Sequence, residues 1–542
     1  MSRATAWLLA AWSLVALSCT GHIGGSDLER DASLDAATVD AANANGDSGT
    51  TYFDGGSFDA GPECMTAPSA EIVATARAWL AASGSERVAL EAPLRAYTSC
   101  IDSVVHELRP HAFPSVAPGD YFDQTYETPE LFEKQGDHHF NFHVPSFYSP
   151  DTPIGLVIWM HGGGSHDDTE WSWVMQNMHP WEGGKRCYAR PELDEAPYIL
   201  VVPIAPFGHL LPAGAEAHAS RWNVIGADVY LMNIIEEFEH RFNIDTNHVV
   251  LAGHSMGGVG AYHQVFRLAD RVAAVFTSAG AWNMGPWEAL RYTPFYLHHG
   301  TDDSYWNSPS DYRWHGTDVA YPRLADEILS GLGIDHVYWE FVGGHGWSDA
   351  AEDPLHSGEL GWSEFVDGAG GWLADKVRDP YRADVVAVTP RTSYLHGGNF
   401  GVEWDETPTP DTMWLTIRRV GSGTIPFDVA NNVHDGDYST HEAWADFSVQ
   451  HEVENVAGGM IHGHLASGNV VTLTTDNVEE LSVWLHPRMV DARLPIHVSV
   501  DGVSHDYPCA PTLLDTLRSF ERRRDWSMSY QCEVRINVSD HR

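Results

Sequence analysis

At 542 residues the chain is too long for one ordinary domain and can bury at least one large core, so two or three units are expected. Hydrophobic residues make up 43 % of it, which excludes wholesale disorder. The formal net charge of −44 repels phosphate backbones and anionic membrane surfaces; it argues against a nucleic acid partner and reads most simply as solubility.

Residues 1–19 carry a small positive n-region at Arg3, an apolar h-region from Ala6 to Leu17 (AWLLAAWSLVAL), and Ser18 before Cys19. The apolar run is too short for a comfortable transmembrane helix. It resembles a bacterial lipoprotein signal, in which Cys19 is acylated and becomes the new N-terminus in the cell envelope, at the outer membrane or cell surface. Ala16 stands where such signals usually carry Leu, which leaves ordinary secretion open. No other run has the apolar length to span a bilayer, so membrane attachment would rest on the lipid alone. An exported chain meets an oxidising compartment, where its six cysteines tend to pair. With Cys19 lipidated, nearest neighbours suggest Cys64 with Cys100 and Cys509 with Cys532, leaving Cys187 over; the spacing does not prove the connectivity.

Residues 20–63 are dominated by Asp, Ala, Gly, Ser and Asn, with too few large apolar groups to offset the entropy of ordering, and read as a flexible tether. Residues 64–137 form an N-terminal extension that matches no nameable pattern. From residue 138 to 378 short β-rich runs alternate with helical stretches, the signature of an α/β fold with a mostly parallel sheet flanked by helices. The runs are His139 to Phe147, Gly155 to Met160, Tyr198 to Ile204, His248 to Ala252, Val272 to Ser278, Phe295 to His298 and Val337 to Val342. Val229 to Phe242 places apolar residues at helical spacing behind Asp228, a candidate N-cap, and Val319 to Leu332 reads as another helix. Beyond Asp379-Pro380 the helices largely disappear. Alternating segments such as Val470 to Thr475, Leu481 to Leu485 and Ile496 to Val500 make residues 379–508 a smaller antiparallel β domain. Residues 509–542 add one helix, Leu513 to Arg523, with Arg522, Arg523 and Arg524 expected on its solvated face. A Cys509–Cys532 bridge would close a loop of about 23 residues and contribute ~3 kcal/mol in the chain-entropy picture.

The chemistry concentrates at Gly253-His254-Ser255-Met256-Gly257-Gly258, a G-x-S-x-G that follows the strand HVVLA and precedes the helical stretch VGAYHQVFRLA. A sharp strand-to-helix turn lifts the serine hydroxyl clear of the sheet, and side chains at the flanking positions would collide with neighbouring backbone. The bare pattern is weak evidence in a glycine-rich chain. Its context is what sharpens it. A serine needs a base to take its proton and an acid to orient that base, in the chain order Ser, acid, His. FYLHHGTDD is an apolar strand ending in an acidic turn, where Asp303 is the expected acid and Asp302 its competitor. FVGGHGW ends the next strand and supplies His345. Met160-His161-Gly162-Gly163-Gly164 follows the strand GLVIW and offers an oxyanion hole, with the N–H of Met256 as one donor and that of Gly163 or Gly164 as the other. Trp171, Trp173 and Trp181 lie in a polar insertion, Ser165 to Pro197, where they could stack on an aromatic or sugar-containing substrate, although core packing is the commoner fate of tryptophan. His462 with His464, and His138 with His139, lack a third ligand, so no metal is assigned.

RFNIDTNHVVLAGHSMGGVGAY, the HGGG strand end, HHGTDD and GGHGW together resemble the bacterial esterase and prolyl-oligopeptidase-like branch of the α/β hydrolases, which includes polyhydroxybutyrate-depolymerase-like and feruloyl-esterase-like enzymes. The match covers roughly residues 140–378. WLADKVRDPY and LHPRMVDARLPIHVSVDG also look like the C-terminal β domain of some phospholipase/carboxylesterase-type members. The resemblance implies cleavage of a small-molecule or polymer ester through an acyl-enzyme, without metal or organic cofactor. An S9-like peptidase is the alternative within enzymes; no propeller repeat precedes the catalytic region, which leaves only a small exopeptidase. From a different class comes a catalytically inactive surface lipoprotein that grips carbohydrate, against which the full set of Ser, Asp and His argues.

Overall fold

The computed structural model describes residues 67–131, 139–162, 197–206, 222–223, 226–282, 284–301, 303, 317–342, 344–345, 372, 376–390, 411–433 and 448–542. Residues 1–66, which include Cys19, Cys64 and the segments expected to be a signal and a tether, lie outside them. The extension opens with three helices, α1 (Ala70–Ala81), α2 (Gly84–Ala96) and α3 (Ile101–Leu108), and then a strand, β1 (Gly119–Thr125). Next come β2 (His139–Val144), β3 (Ile154–Met160), β4 (Tyr198–Pro203), α4 (Ala227–Arg241), β5 (Ile244–His254), α5 (Met256–Leu268), β6 (Ala274–Ser278), the short β7 (Met284–Gly285), β8 (Phe295–Gly300), α6 (Ala320–Leu332) and β9 (His336–Phe341).

Eight strands form one sheet in the order β1-β2-β4-β3-β5-β6-β8-β9. From β4 to β9 every pair is parallel, whereas β2 runs antiparallel to both β1 and β4. The parallel strands are buried on both faces, which is why they read as nearly continuous apolar runs. Leu156, Ile158, Val249, Leu251, Val275 and Leu297 join the apolar cluster on one side. Val157, Trp159, Val250, Ala252, Phe276 and Tyr296 join the cluster on the other.

The remaining elements are β10 (Asp384–Pro390), β11 (Asp411–Thr412), β12 (Leu415–Val420), β13 (Thr424–Val433), β14 (Ser448–Ala466), β15 (Val470–Asp476), β16 (Val478–Leu485), β17 (Ile496–Val500), β18 (Val503–Tyr507), α7 (Leu513–Arg523) and β19 (Cys532–Asn537). They build a seven-stranded and a four-stranded sheet, predominantly antiparallel. One pair departs from that rule: β15 and β17 are parallel, because β16 leaves for the other sheet between them and the chain must cross back. β14 is long enough to serve twice, pairing β13 along its first half and β10 and β15 along its second. The β13–β14 pair also reaches the connections of the eight-stranded sheet, since β13 pairs β7 and the Asp428 carboxylate accepts the Trp287 N–H at 3.0 Å.

Several expectations need correction. The sheet begins before residue 138: β1, GDYFDQT, is an edge strand with no fully buried position and so lacks the apolar alternation that marks a strand. Helix α4 is capped by Gly226 at φ 82°, not by Asp228, which lies in the first turn and pairs with Arg267 at 3.4 Å. The three arginines at the end of α7 are not a solvated face. Arg523 is 1 % exposed, its Nε donates to the Met413 carbonyl at 2.7 Å, and its guanidinium lies about 5 Å from the rings of Trp484 and Tyr530. Arg522 pairs with Asp411 at 3.0 Å, and Arg524 with Glu236. Helix α7 instead packs Leu513, Leu514 and Leu517 against Trp79, Leu94 and Val104 of the extension. A disulfide joins Cys509 to Cys532. Cys100 is disulfide-bonded as well, and Cys64 and Cys187 lie outside the described residues.

Candidate active site

β5 runs into Ser255, which sits at φ 57° and ψ −119° between the strand and α5. That positive φ is strained for a residue with a side chain and is the hallmark of an elbow that projects its hydroxyl. The glycines make the elbow possible. A Cβ on Gly253 would stand 2.2 Å from the carbonyl oxygen of Gly257, and one on Gly257 would stand 1.8 Å from that of Met160. The Ser255 N–H donates to the Ser278 carbonyl at 2.9 Å and its carbonyl accepts from Val259 at 2.9 Å, so the turn is tied to β6 and to the helix it starts.

Ser255 Oγ lies 2.7 Å from Nε2 of His345, and Nδ1 of that ring lies 2.8 Å from Oδ2 of Asp303. Asp303 follows β8 and His345 follows β9, both beyond the ends of strands that run parallel to β5. The sheet therefore brings three loops, distant in sequence, over one edge. With a carboxylate on Nδ1, that nitrogen carries the proton and Nε2 is left as the acceptor facing the serine. Burial alone would raise the Asp303 carboxyl, but hydrogen bonds from His299 and His345 outweigh it and hold the group below its ordinary value.

This geometry decides the architecture: a mostly parallel sheet with one antiparallel strand near its edge, a strained serine elbow after β5, an acid after β8 and a histidine after β9. The chain has the α/β-hydrolase fold.

Within that fold the end of β3 runs beside Ser255, where a Cβ on Gly162 would come within 3.5 Å of the Ser255 Cβ. His161 anchors it: Nδ1–H donates to the Gly162 carbonyl at 2.7 Å, while Nε2 accepts from the Ala205 N–H at 3.1 Å. Burial lowers this imidazole to about 4, keeping it neutral as both bonds require. The Met256 N–H is the first of α5 and precedes Val259, whose N–H bonds back to the Ser255 carbonyl, so it lies among the helix-terminal donors without an intrahelical partner. Gly163, Gly164, Asp302, Trp171, Trp173 and Trp181 lie outside the described residues.

Two site neighbours went unremarked in the sequence, the histidines adjoining the motifs. His254 places Nδ1 3.0 Å from the Ser278 hydroxyl, which also lies 3.0 Å from Nδ1 of His298, and the His254 ring centre is 5.4 Å from that of His345. Burial pushes His254 down to about 3. His299 reaches Asp303, as described below. The signal available was the doublet His298-His299 at a strand end, whose alternation aims one ring to each face. Among the described residues no group of three or more His, Cys, Asp or Glu is placed to hold a metal; His464 pairs with Asp384 at 2.7 Å instead.

No family model matches the chain. It is 28 % identical over 167 residues to a bifunctional acetylxylan esterase/xylanase, XynS20E of Neocallimastix patriciarum, a stretch covering 30 % of this chain and 21 % of that protein. The chain thus spans about a fifth of the length of that relative. Among solved structures, a thermostable esterase shares 21 % identity over 47 % of this chain and 62 % of its own, with a TM-score of 0.34. A CE1 ferulic acid esterase of Anaeromyces mucronatus, solved with ferulic acid, shares 16 % identity over 46 % and 92 % of the two chains, with a TM-score of 0.29.

Proposed function

We propose that this chain is an exported serine hydrolase that cleaves carboxylic esters through an acyl-enzyme. The observation that carries the reading is the continuous hydrogen-bonded line from the Ser255 hydroxyl through His345 to Asp303 at a strained elbow. Ser255 Oγ attacks the ester carbonyl carbon and His345 Nε2 takes the hydroxyl proton. The oxyanion so formed is received by the Met256 N–H and by the backbone of Gly163 or Gly164. Collapse expels the alcohol, which leaves with the proton from His345; water then repeats the sequence and frees the acid. Asp303 keeps the proton on Nδ1 and stabilises the imidazolium. The stretch shared with a protein named as an acetylxylan esterase supports ester chemistry.

Labelling with a fluorophosphonate probe tests the nucleophile, comparing the wild type with Ser255→Ala; a panel of acetyl, feruloyl and aminoacyl substrates then separates ester from peptide chemistry. Label retained after the substitution would refute the assignment. Asp303→Asn is expected to lower kcat about 10⁴-fold through the wrong imidazole tautomer, with little change in thermal midpoint. An Asn variant within tenfold of wild type would exclude Asp303 as the orienting acid.

Export follows from the signal-like N-terminus and fits the Cys509–Cys532 disulfide; no helix among the described residues is long and apolar enough to cross a membrane. We place the mature chain in the cell envelope, held by a lipid on Cys19. Metabolic labelling with a palmitate analogue in a bacterial host should mark the wild type and not Cys19→Ser, and equal absence of label in both would leave the chain as a freely secreted protein.

A further inference from the structure

We propose that His299 is a positioning residue for the reaction, the buried second donor that sets the Asp303 carboxylate toward His345. The proposal rests on the Ser255, His345, Asp303 reading above and adds a fourth side chain to it. His299 belongs to β8 and is 1 % exposed. Its Nε2 lies 2.8 Å from the Thr317 carbonyl oxygen and 3.1 Å from Oδ2 of Asp303. A carbonyl oxygen only accepts, so Nε2 must carry the proton, which it gives to Thr317 while lying within 3.1 Å of the Asp303 carboxylate. The same Oδ2 receives Nδ1–H of His345 at 2.8 Å. One carboxylate oxygen is thus held between two imidazole N–H groups, one buried and one in the site.

The geometry explains why a second donor is needed. Rotation of a carboxylate about its last side-chain bond has a broad, shallow preference, so a single hydrogen bond to a partly exposed histidine does not fix its plane. His345 is itself 46 % exposed, whereas His299 is locked inside the sheet and so provides the rigid end. The backbone is pinned in the same place: Asp303 N–H donates to the Gly300 carbonyl at 3.0 Å, and the Asp303 carbonyl accepts from Val319 at 2.8 Å. Thr317, whose carbonyl shares the His299 proton, also has its hydroxyl 3.4 Å from His345 Nδ1. Among the described residues the other titratable groups facing this cluster are His254 and His298, which burial keeps neutral, so Asp303 is the charged partner of both rings.

The test uses the full chain and three variants. His299→Leu removes the donor; His299→Asn keeps a polar side chain too short to reach Asp303; His299→Gln carries an amide N–H to about the position of Nε2. With substrate in a steady-state assay, Leu and Asn are expected to lower kcat about 10–100-fold, the loss of one hydrogen bond to a charged group, while KM stays within about twofold. The acidic limb of the kcat/KM profile should move to lower pH, because the imidazolium loses part of its anionic partner. His299→Gln should recover most of kcat and restore the limb. An Asn variant that folds with wild-type kcat and an unmoved limb overturns the proposal, as does a Gln variant no better than Asn. The downfield Nδ1 proton resonance of His345 reports the same bond without turnover: it should broaden or vanish in Asn and return in Gln. If Ser255→Ala leaves hydrolysis intact, the catalytic reading has failed; the resonance alone then decides whether His299 orients Asp303, and a signal unchanged in Asn refutes it.

Discussion

Ser255→Ala is expected to lower kcat for ester hydrolysis about 10⁶-fold, the loss found when the nucleophile of a cooperating Ser, His and Asp is removed. The effect is this large because, among the described residues, Ser255 is the side chain aimed at Nε2 of His345, at 2.7 Å, and no other hydroxyl is tied to that nitrogen. Fold stability should barely change, since the Ser255 backbone, not its hydroxyl, carries the elbow's bonds to Ser278 and Val259. Alanine at φ 57° is no more strained than serine there. Residual activity within a hundredfold of wild type, on a variant with an unchanged thermal midpoint, would remove Ser255 from the chemistry.

Protonation of buried histidines should weaken the fold below neutral pH. His161, His263 and His298 are each 5 % exposed or less, and burial lowers all three, His161 to about 4 and the other two well below the ordinary value. A histidine whose folded value lies below its unfolded value of about 6.5 refuses a proton that the unfolded chain accepts. Its contribution is therefore complete above about pH 6.5 and is lost as pH falls toward the folded value. For His161 this amounts to about 2 kcal/mol between pH 7 and pH 5, and His263 and His298 act in the same direction. Asp303, Asp411 and Asp525 have lowered values, so what they contribute is retained above about pH 4, whereas Glu239, raised by burial, gains stability as pH falls and offsets part of the loss. The thermal midpoint at constant ionic strength is expected to fall by a few degrees from pH 7 to pH 5. Equal midpoints at the two values would show that these histidines are not held neutral by the fold.

Much of the site was legible because its requirements are local. A G-x-S-x-G needs glycines where backbones nearly touch, and strands buried on both faces must be apolar throughout, so both leave their mark in consecutive residues. The helix from Leu513 to Arg523 was readable for the same reason, its periodicity being its own. What escaped notice depended on partners. β1 is polar and owes its place to pairing with β2, and Arg523 is buried because Trp484, Tyr530 and Met413 arrive around it from other parts of the chain. The extension looked unclassifiable alone because its apolar faces are completed by α7, more than 400 residues away by the Arg518–Glu91 contact.

By itself the sequence determined the alternation of strands and helices, the serine at its turn, and the order of acid and base behind it, since periodicity and glycine spacing act within a few residues. Only the tertiary structure decided that Asp303 faces His345, that His299 shares its oxygen, and that the C-terminal helix closes the N-terminal extension. Those outcomes follow from sheet order and burial, which join atoms whose positions along the chain carry no record of one another.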